Sequence, residues 1–142
     1  MKKQNYRIIE HTADIGIAVE ASDLEGVFVS AAEAMFDIMA ERRDADAPDT
    51  SGIKLNVRLT AENQDELLVN WLNELLFLSS ARGLIFTGYQ IHKLTDHSLD
   101  ASVLAEDIEH YRQNIEFKAA TYHELELVQG HDSYKAKVIF DV

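Results

Sequence analysis

Carboxylates near both ends of the chain carry the clearest chemistry in the sequence. Asp14 closes the stretch "EHTAD", directly before Ile15, Ile17, Val19 and Ala21, an alternation that reads as a β-strand with one buried face. Strand side chains alternate sides, so Asp14 is expected to point away from that apolar face. Near the other end Tyr134, Ala136, Val138 and Phe140 form a second alternating face, which sends Lys135, Lys137, Ile139 and Asp141 the opposite way. Val142 follows at once and brings a backbone or terminal oxygen. If the first and last strands lie side by side, Asp14, Asp141 and Val142 converge as hard oxygen donors. Such a set suits Ca²⁺ or Mg²⁺ better than zinc or copper. Two carboxylates fall short of the about six to eight oxygens of a closed calcium cage, so water or a partner would complete the shell. The competing reading is a pair of solvated aspartates at strand ends.

A second stretch, "IEFKAATYHELEL", places Ile115, Phe117, Ala119 and Thr121 on one expected face and Glu116, Lys118, Ala120 and Tyr122 on the other. Lys118 and His123 could face a phosphate or handle a proton there; the alternative is a surface lysine and a hydrogen-bonding histidine. Other templates fail. No phosphate-binding glycine loop, G-x-S-x-G elbow or paired-histidine zinc helix is present. The histidines at 11, 92, 97, 110, 123 and 131 share no ligand spacing on one helix, and Ser79 and Ser80 have no neighbouring base in sequence.

These residues need elements to position them. Ser22 with Glu25 three residues on fits a capping box, and Leu24, Val27, Phe28, Ala31, Ala32, Met35, Phe36 and Met39 behind it keep helical spacing. Pro48 and Gly52 mark a loop after this helix, in "ERRDADAPDTSG". "IKLNVRLTA" alternates strictly, with Ile53, Leu55, Val57 and Leu59 on one face. Asn63 caps a second helix whose broad apolar set of Leu68, Trp71, Leu72, Leu75, Leu76 and Ser79 predicts deep burial, and Gly83 supplies its stop. Strands are expected at about 84–94, 98–107, 114–128 and 133–141, with turns at "TDHS" and "QGHDS". The order is strand, helix, strand, helix, then a four-stranded meander, which predicts an α+β fold with mostly antiparallel sheet.

Size and composition narrow the function. A chain of 142 residues fits a single domain over 1–142, enough to bury roughly 70% of its unfolded surface. With no cysteine there is neither a disulfide nor a thiolate ligand or nucleophile. The start has two lysines but no apolar stretch behind them, and no run approaches a bilayer's thickness, so a cytoplasmic protein without membrane contact is expected. A net charge of −12 argues against tight direct binding of nucleic acid, and Arg42 with Arg43 is a lone basic pair followed by Asp44 and Asp46. A role with RNA or DNA would then run through a basic protein partner or a cation.

The blocks "HTADIGIAVEA", "AAEAMFDIM", "DELLVNWLNELLFL", "KAATYH" and "VIFDV", in this order and spacing, resemble the archease family over nearly the whole chain. The resemblance implies a strand-helix-strand-strand module with a second such unit inserted. It implies an accessory protein rather than an enzyme: an activator of RtcB-type RNA ligases in tRNA splicing and RNA repair, promoting formation of the guanylylated ligase and multiple turnover. It also implies a divalent-cation site, calcium foremost with Mg or Mn as alternatives, on Asp14, Asp141 and Val142. His11, Lys118 and His123 match other motif positions and are carried over as candidate partner or nucleotide contacts. Glu10 stands where the family often has aspartate, and Ala120 where valine is more usual. A monomer or weak oligomer is expected. Two alternatives are a general chaperone or modulator of nucleic-acid-modifying enzymes such as methyltransferases, and a small metal-dependent hydrolase. Against the hydrolase stands the lack of a convincing general base in sequence.

Overall fold

The computed structural model describes residues 6–11, 14–43 and 52–142. The expected loop around Pro48 lies outside the described residues, as do the side chains of Glu10 and His11. In chain order the elements are β1 (Tyr6–His11), β2 (Asp14–Ala21), α1 (Leu24–Met39), β3 (Ala40–Arg42), β4 (Ile53–Thr60), α2 (Gln64–Arg82), β5 (Leu84–Leu94), β6 (Ser98–Asp107), a 3₁₀ turn (Ile108–His110), β7 (Tyr111–Gln113), β8 (Ala119–Ala120), β9 (Glu126–Gln129) and β10 (Tyr134–Asp141). The result is α+β with wholly antiparallel pairing among the described strands.

The first sheet runs β1-β2-β10-β8, with β9 also on β10. Its middle is therefore built from strands near the two ends of the chain, and a second unit is inserted between them. β4, α2, β5 and β6 form a strand-helix-strand-strand unit whose sheet order is β4-β6-β5. A ribbon of β3 and β7 joins the two regions.

Both helices are fixed by caps and a shared core. The α1 cap is Asp23, whose carboxylate accepts from the Gly26 N–H at 2.7 Å, and not Ser22 as the capping-box pattern suggests. Both residue types can cap, and the chain enters the helix one position later than the pattern implies. α2 keeps its expected ends: Asn63 accepts from the Glu66 N–H at 2.9 Å, and Gly83 takes the left-handed conformation (φ 65°) that favours glycine. The apolar sets predicted for the two helices are buried but for Leu24, which is half-buried. Trp71, fully buried, donates its indole N–H to the Phe28 carbonyl at 2.9 Å and so ties α2 to α1. No helix among the described residues is long and apolar enough to cross a membrane.

Two expectations are corrected. The single strand at 114–128 does not form; β8 and β9 are separate short strands with a turn between them. Phe117 and Ala120 are the buried residues of the segment, so the strict alternation predicted there fails. A strand also precedes the first expected one: β1 pairs with β2 from Tyr6↔Val19 to His11↔Asp14.

Candidate carboxylate site at the sheet end

β2 and β10 pair in register over their whole length, from Tyr134↔Ala21 to Asp141↔Asp14. The two predicted carboxylates are thus directly opposed across one ladder. Opposed residues share a sheet face, with Cβ atoms about 5 Å apart. The neighbouring pair, Phe140↔Ile15, turns into the core, so alternation directs Asp14 and Asp141 to the other face. Asp141 is exposed, whereas Asp14 is half-buried and its Oδ1 is shielded from solvent. Like charges opposite one another in a sheet repel, and a cation between these two would relieve that cost.

The row through the pair continues on both sides, as His11↔Asp14 and Asp141↔Ala119. His11 therefore reaches the row by its backbone position. Lys118 joins through its main chain, its N–H donating to the Asp141 carbonyl at 2.8 Å. His123 is exposed and lies 3.3 Å from Glu124, an ion pair whenever the ring is protonated. The expected Lys118–His123 pairing is not among the described contacts.

One step inward, Gly16 faces Ile139 and Ile9. A Cβ on Gly16 would stand 2.7 Å from the Ile139 Cδ1. Ile139, on the face away from the core, is only 1% exposed. Farther along the outer face, Lys137 meets Glu126 at 3.3 Å and Lys135 meets Glu20 at 3.5 Å, beside a shallow groove of about 480 Å³. Asp14 and Asp141 do not line that groove; they stand at the end of the β2–β10 ladder, with Asp141 exposed.

The donor set fits a hard cation in kind. Asp14 and Asp141 supply carboxylate oxygens from adjacent strands, and Val142 follows directly. It does not fill a coordination shell: no group of three or more histidines, aspartates or glutamates lies within metal-holding reach of one another among the described residues.

Two polar arrangements escaped the sequence reading. Asn73, on α2, clamps the Ala120 backbone; nothing in "VNWLNELLFL" sets it apart from Asn70 in the same stretch. The other joins the two halves of the molecule. Glu106 on β6, 1% exposed, accepts from Arg42 Nη1 at 2.5 and 2.7 Å and from the Tyr111 hydroxyl. Burial, then the hydrogen bond and charge of Glu106, push the Tyr111 phenol up to about 12.

An inserted strand-helix-strand-strand unit, together with opposed carboxylates where β2 and β10 meet, defines a class of small two-unit α+β proteins. The archease protein family profile matches residues 6–142. The chain is 33% identical to the protein archease of Methanosarcina mazei, over 98% of this chain and 97% of that one. It is 30% identical to that of Pyrococcus furiosus, over 94% and 95% respectively. The solution structure of Methanobacterium thermoautotrophicum protein 1598 superposes with a TM-score of 0.71 at 28% identity, covering 99% of this chain and all of that one. The crystal structure of a Thermotoga maritima archease, described as a possible chaperone, shares the fold at a TM-score of 0.67 and 22% identity, covering 100% of this chain and 98% of that one. This chain belongs to the archease family.

Proposed function

We propose that the protein activates an RtcB-type RNA ligase in tRNA splicing or RNA repair, promoting the ligase's guanylylation and its multiple turnover by direct contact. The observation that carries this reading is the opposition of Asp14 and Asp141 at the end of the β2–β10 ladder, in a chain of the archease family. The exposed Asp141 suits presentation to another protein. Asp14, Asp141 and Val142 would hold a divalent cation, calcium foremost, and such an ion supplies positive charge for a phosphate or nucleotide at the partner's centre. His11, Lys118 and His123 are the proposed contacts around it. A net charge of −12 favours docking on a basic, RNA-binding surface.

The test is ligation with the cognate ligase at substoichiometric concentration, with and without this protein. The wild type is expected to convert a single-turnover reaction to multiple turnover, and Asp14→Ala or Asp141→Ala to abolish the effect while circular dichroism shows an intact fold. Normal guanylylation and turnover with either variant overturns the cation's part in the proposal. A chaperone role, favoured by the description of the Thermotoga maritima relative, has no need of either aspartate. It is separated by the same variants, together with identification of the partners captured from native cells.

A further inference from the structure

β8 is two residues long and pairs with β10 on one side only, as Phe140↔Ala120 and Asp141↔Ala119. Its other side has no strand neighbour among the described residues, yet Ala120 is only 5% exposed. Backbone groups buried in this way need partners. Both come from one side chain on α2: the Ala120 N–H donates to Asn73 Oδ1 at 2.7 Å, and Asn73 Nδ2 donates to the Ala120 carbonyl at 3.1 Å. A carboxamide carries a donor and an acceptor side by side, as a peptide group does, so Asn73 takes the place of a further strand.

The clamp lies between the bonds that hold the end of β10. On one side of Ala120 the Lys118 N–H donates to the Asp141 carbonyl at 2.8 Å. On the other, the Thr121 N–H and hydroxyl both donate to the Ile139 carbonyl, at 3.0 and 2.8 Å. Asn73 itself rides on a rigid support, because Trp71, Leu72, Leu75 and Leu76 sink the same helix into the core.

We propose that Asn73 is a positioning residue for the Asp14–Asp141 site: by clamping Ala120 to α2 it sets β8, and through Lys118 it sets the Asp141 end of β10 opposite Asp14. The inference rests on the reading of these aspartates as a cation site. It also gives the inserted unit a task, since α2 belongs to the insert while both carboxylates belong to the flanking sheet.

Calcium alone is the probe, titrated calorimetrically into the full chain, with amide hydrogen exchange followed by NMR. The wild type is expected to bind calcium and Asp141→Asn to lose binding. Asn73→Ala should weaken binding at least about ten-fold, the usual cost of losing a residue that orients a ligand. The same variant should speed exchange at Ala120 and Lys118 but not in the β4–β6 ladder, and calcium should slow it again. Asn73→Leu keeps the branched shape, adds no charge and removes both bonds to Ala120; it gives the same reading if the alanine variant fails to fold. Wild-type affinity in Asn73→Leu, with Ala120 exchange accelerated, overturns the positioning role and leaves the cation site standing. Absence of calcium binding by the wild type overturns the cation reading and this proposal with it.

Discussion

Replacing Asp141 by Asn should make the cation-free protein more stable and the calcium-loaded protein less stable than wild type. The structure sets both magnitudes. Asp141 faces Asp14 directly across the β2–β10 ladder, which puts the carboxylates about 6 Å apart. Two unit charges at that distance repel by about 0.7 kcal/mol at the dielectric of water and about 2.8 kcal/mol at an effective value of 20. Asp141 is exposed and Asp14 half-buried, so the lower part of the range applies, about 1 kcal/mol. Asparagine keeps the shape and the β10 register while removing one charge. For a domain of this size, about 1 kcal/mol raises Tm by about 3 °C.

Calcium reverses the order. At a hundred times its dissociation constant, a ligand bound only by the folded state contributes about 2.7 kcal/mol, or roughly 8 °C, to the wild type. The variant, short of one of its two carboxylates, gains almost nothing. The assay is thermal unfolding of both proteins in excess chelator and again in millimolar calcium, and the expected signature is a crossing of the two Tm values. Equal calcium shifts for both proteins would refute the reasoning, as would an Asp141→Asn variant less stable than wild type in chelator.

Two other substitutions probe the frame around the site. Gly16→Ala places a methyl 2.7 Å from the Ile139 Cδ1 and 3.1 Å from the Ile9 Cβ, and should cost about 1–3 kcal/mol by overpacking; Ile139→Val in the same chain removes the offending atom and should recover most of the loss in a denaturant titration. Tyr111→Phe deletes a donor to the buried Glu106 carboxylate and should cost about 1–2 kcal/mol at neutral pH. Because the folded phenol is raised to about 12 from an unfolded value near 10, its contribution is fully present below about pH 10 and lost as pH rises through 12. The wild-type advantage over Tyr111→Phe in unfolding free energy should therefore shrink across that window.

What could be read from the sequence depended on whether a residue's partner was local or remote. α2 was legible because its cap, its apolar face and its stop all lie within one stretch, and Asn63, Trp71 and Gly83 stand where the pattern puts them. Alternation alone put Asp14 and Asp141 on the outer faces of their strands, but the register that sets one opposite the other depends on long-range pairing. β1 was hidden because "YRIIEH" has adjacent isoleucines rather than an alternation. It is an edge strand, where Ile8 is 49% exposed while Ile9 meets Gly16. The segment at 114–128 misled for a different reason. Its apolar residues alternate as in a strand, but the Ala120 backbone turns to a side chain on α2, and no local pattern announces a helix as the partner of a strand.

Opposed aspartates would be removed by any pressure for stability alone, since a lysine or threonine at either position would relieve the repulsion. The surrounding structure shows where the tolerance comes from. Ile15 and Phe140, one residue along the same ladder, pack into the core that both helices share, so the ladder is held from beneath by apolar burial and does not depend on its charged row. On the opposite face, one step from the carboxylates, Ile139 lies against Gly16 and is itself buried. Asn73 then fixes the outer edge without adding charge to a row that already carries two negative groups. Each of these supports is uncharged. A cation bound there, as proposed, would meet carboxylates whose backbone is set in advance and would lose little to reorganisation on binding.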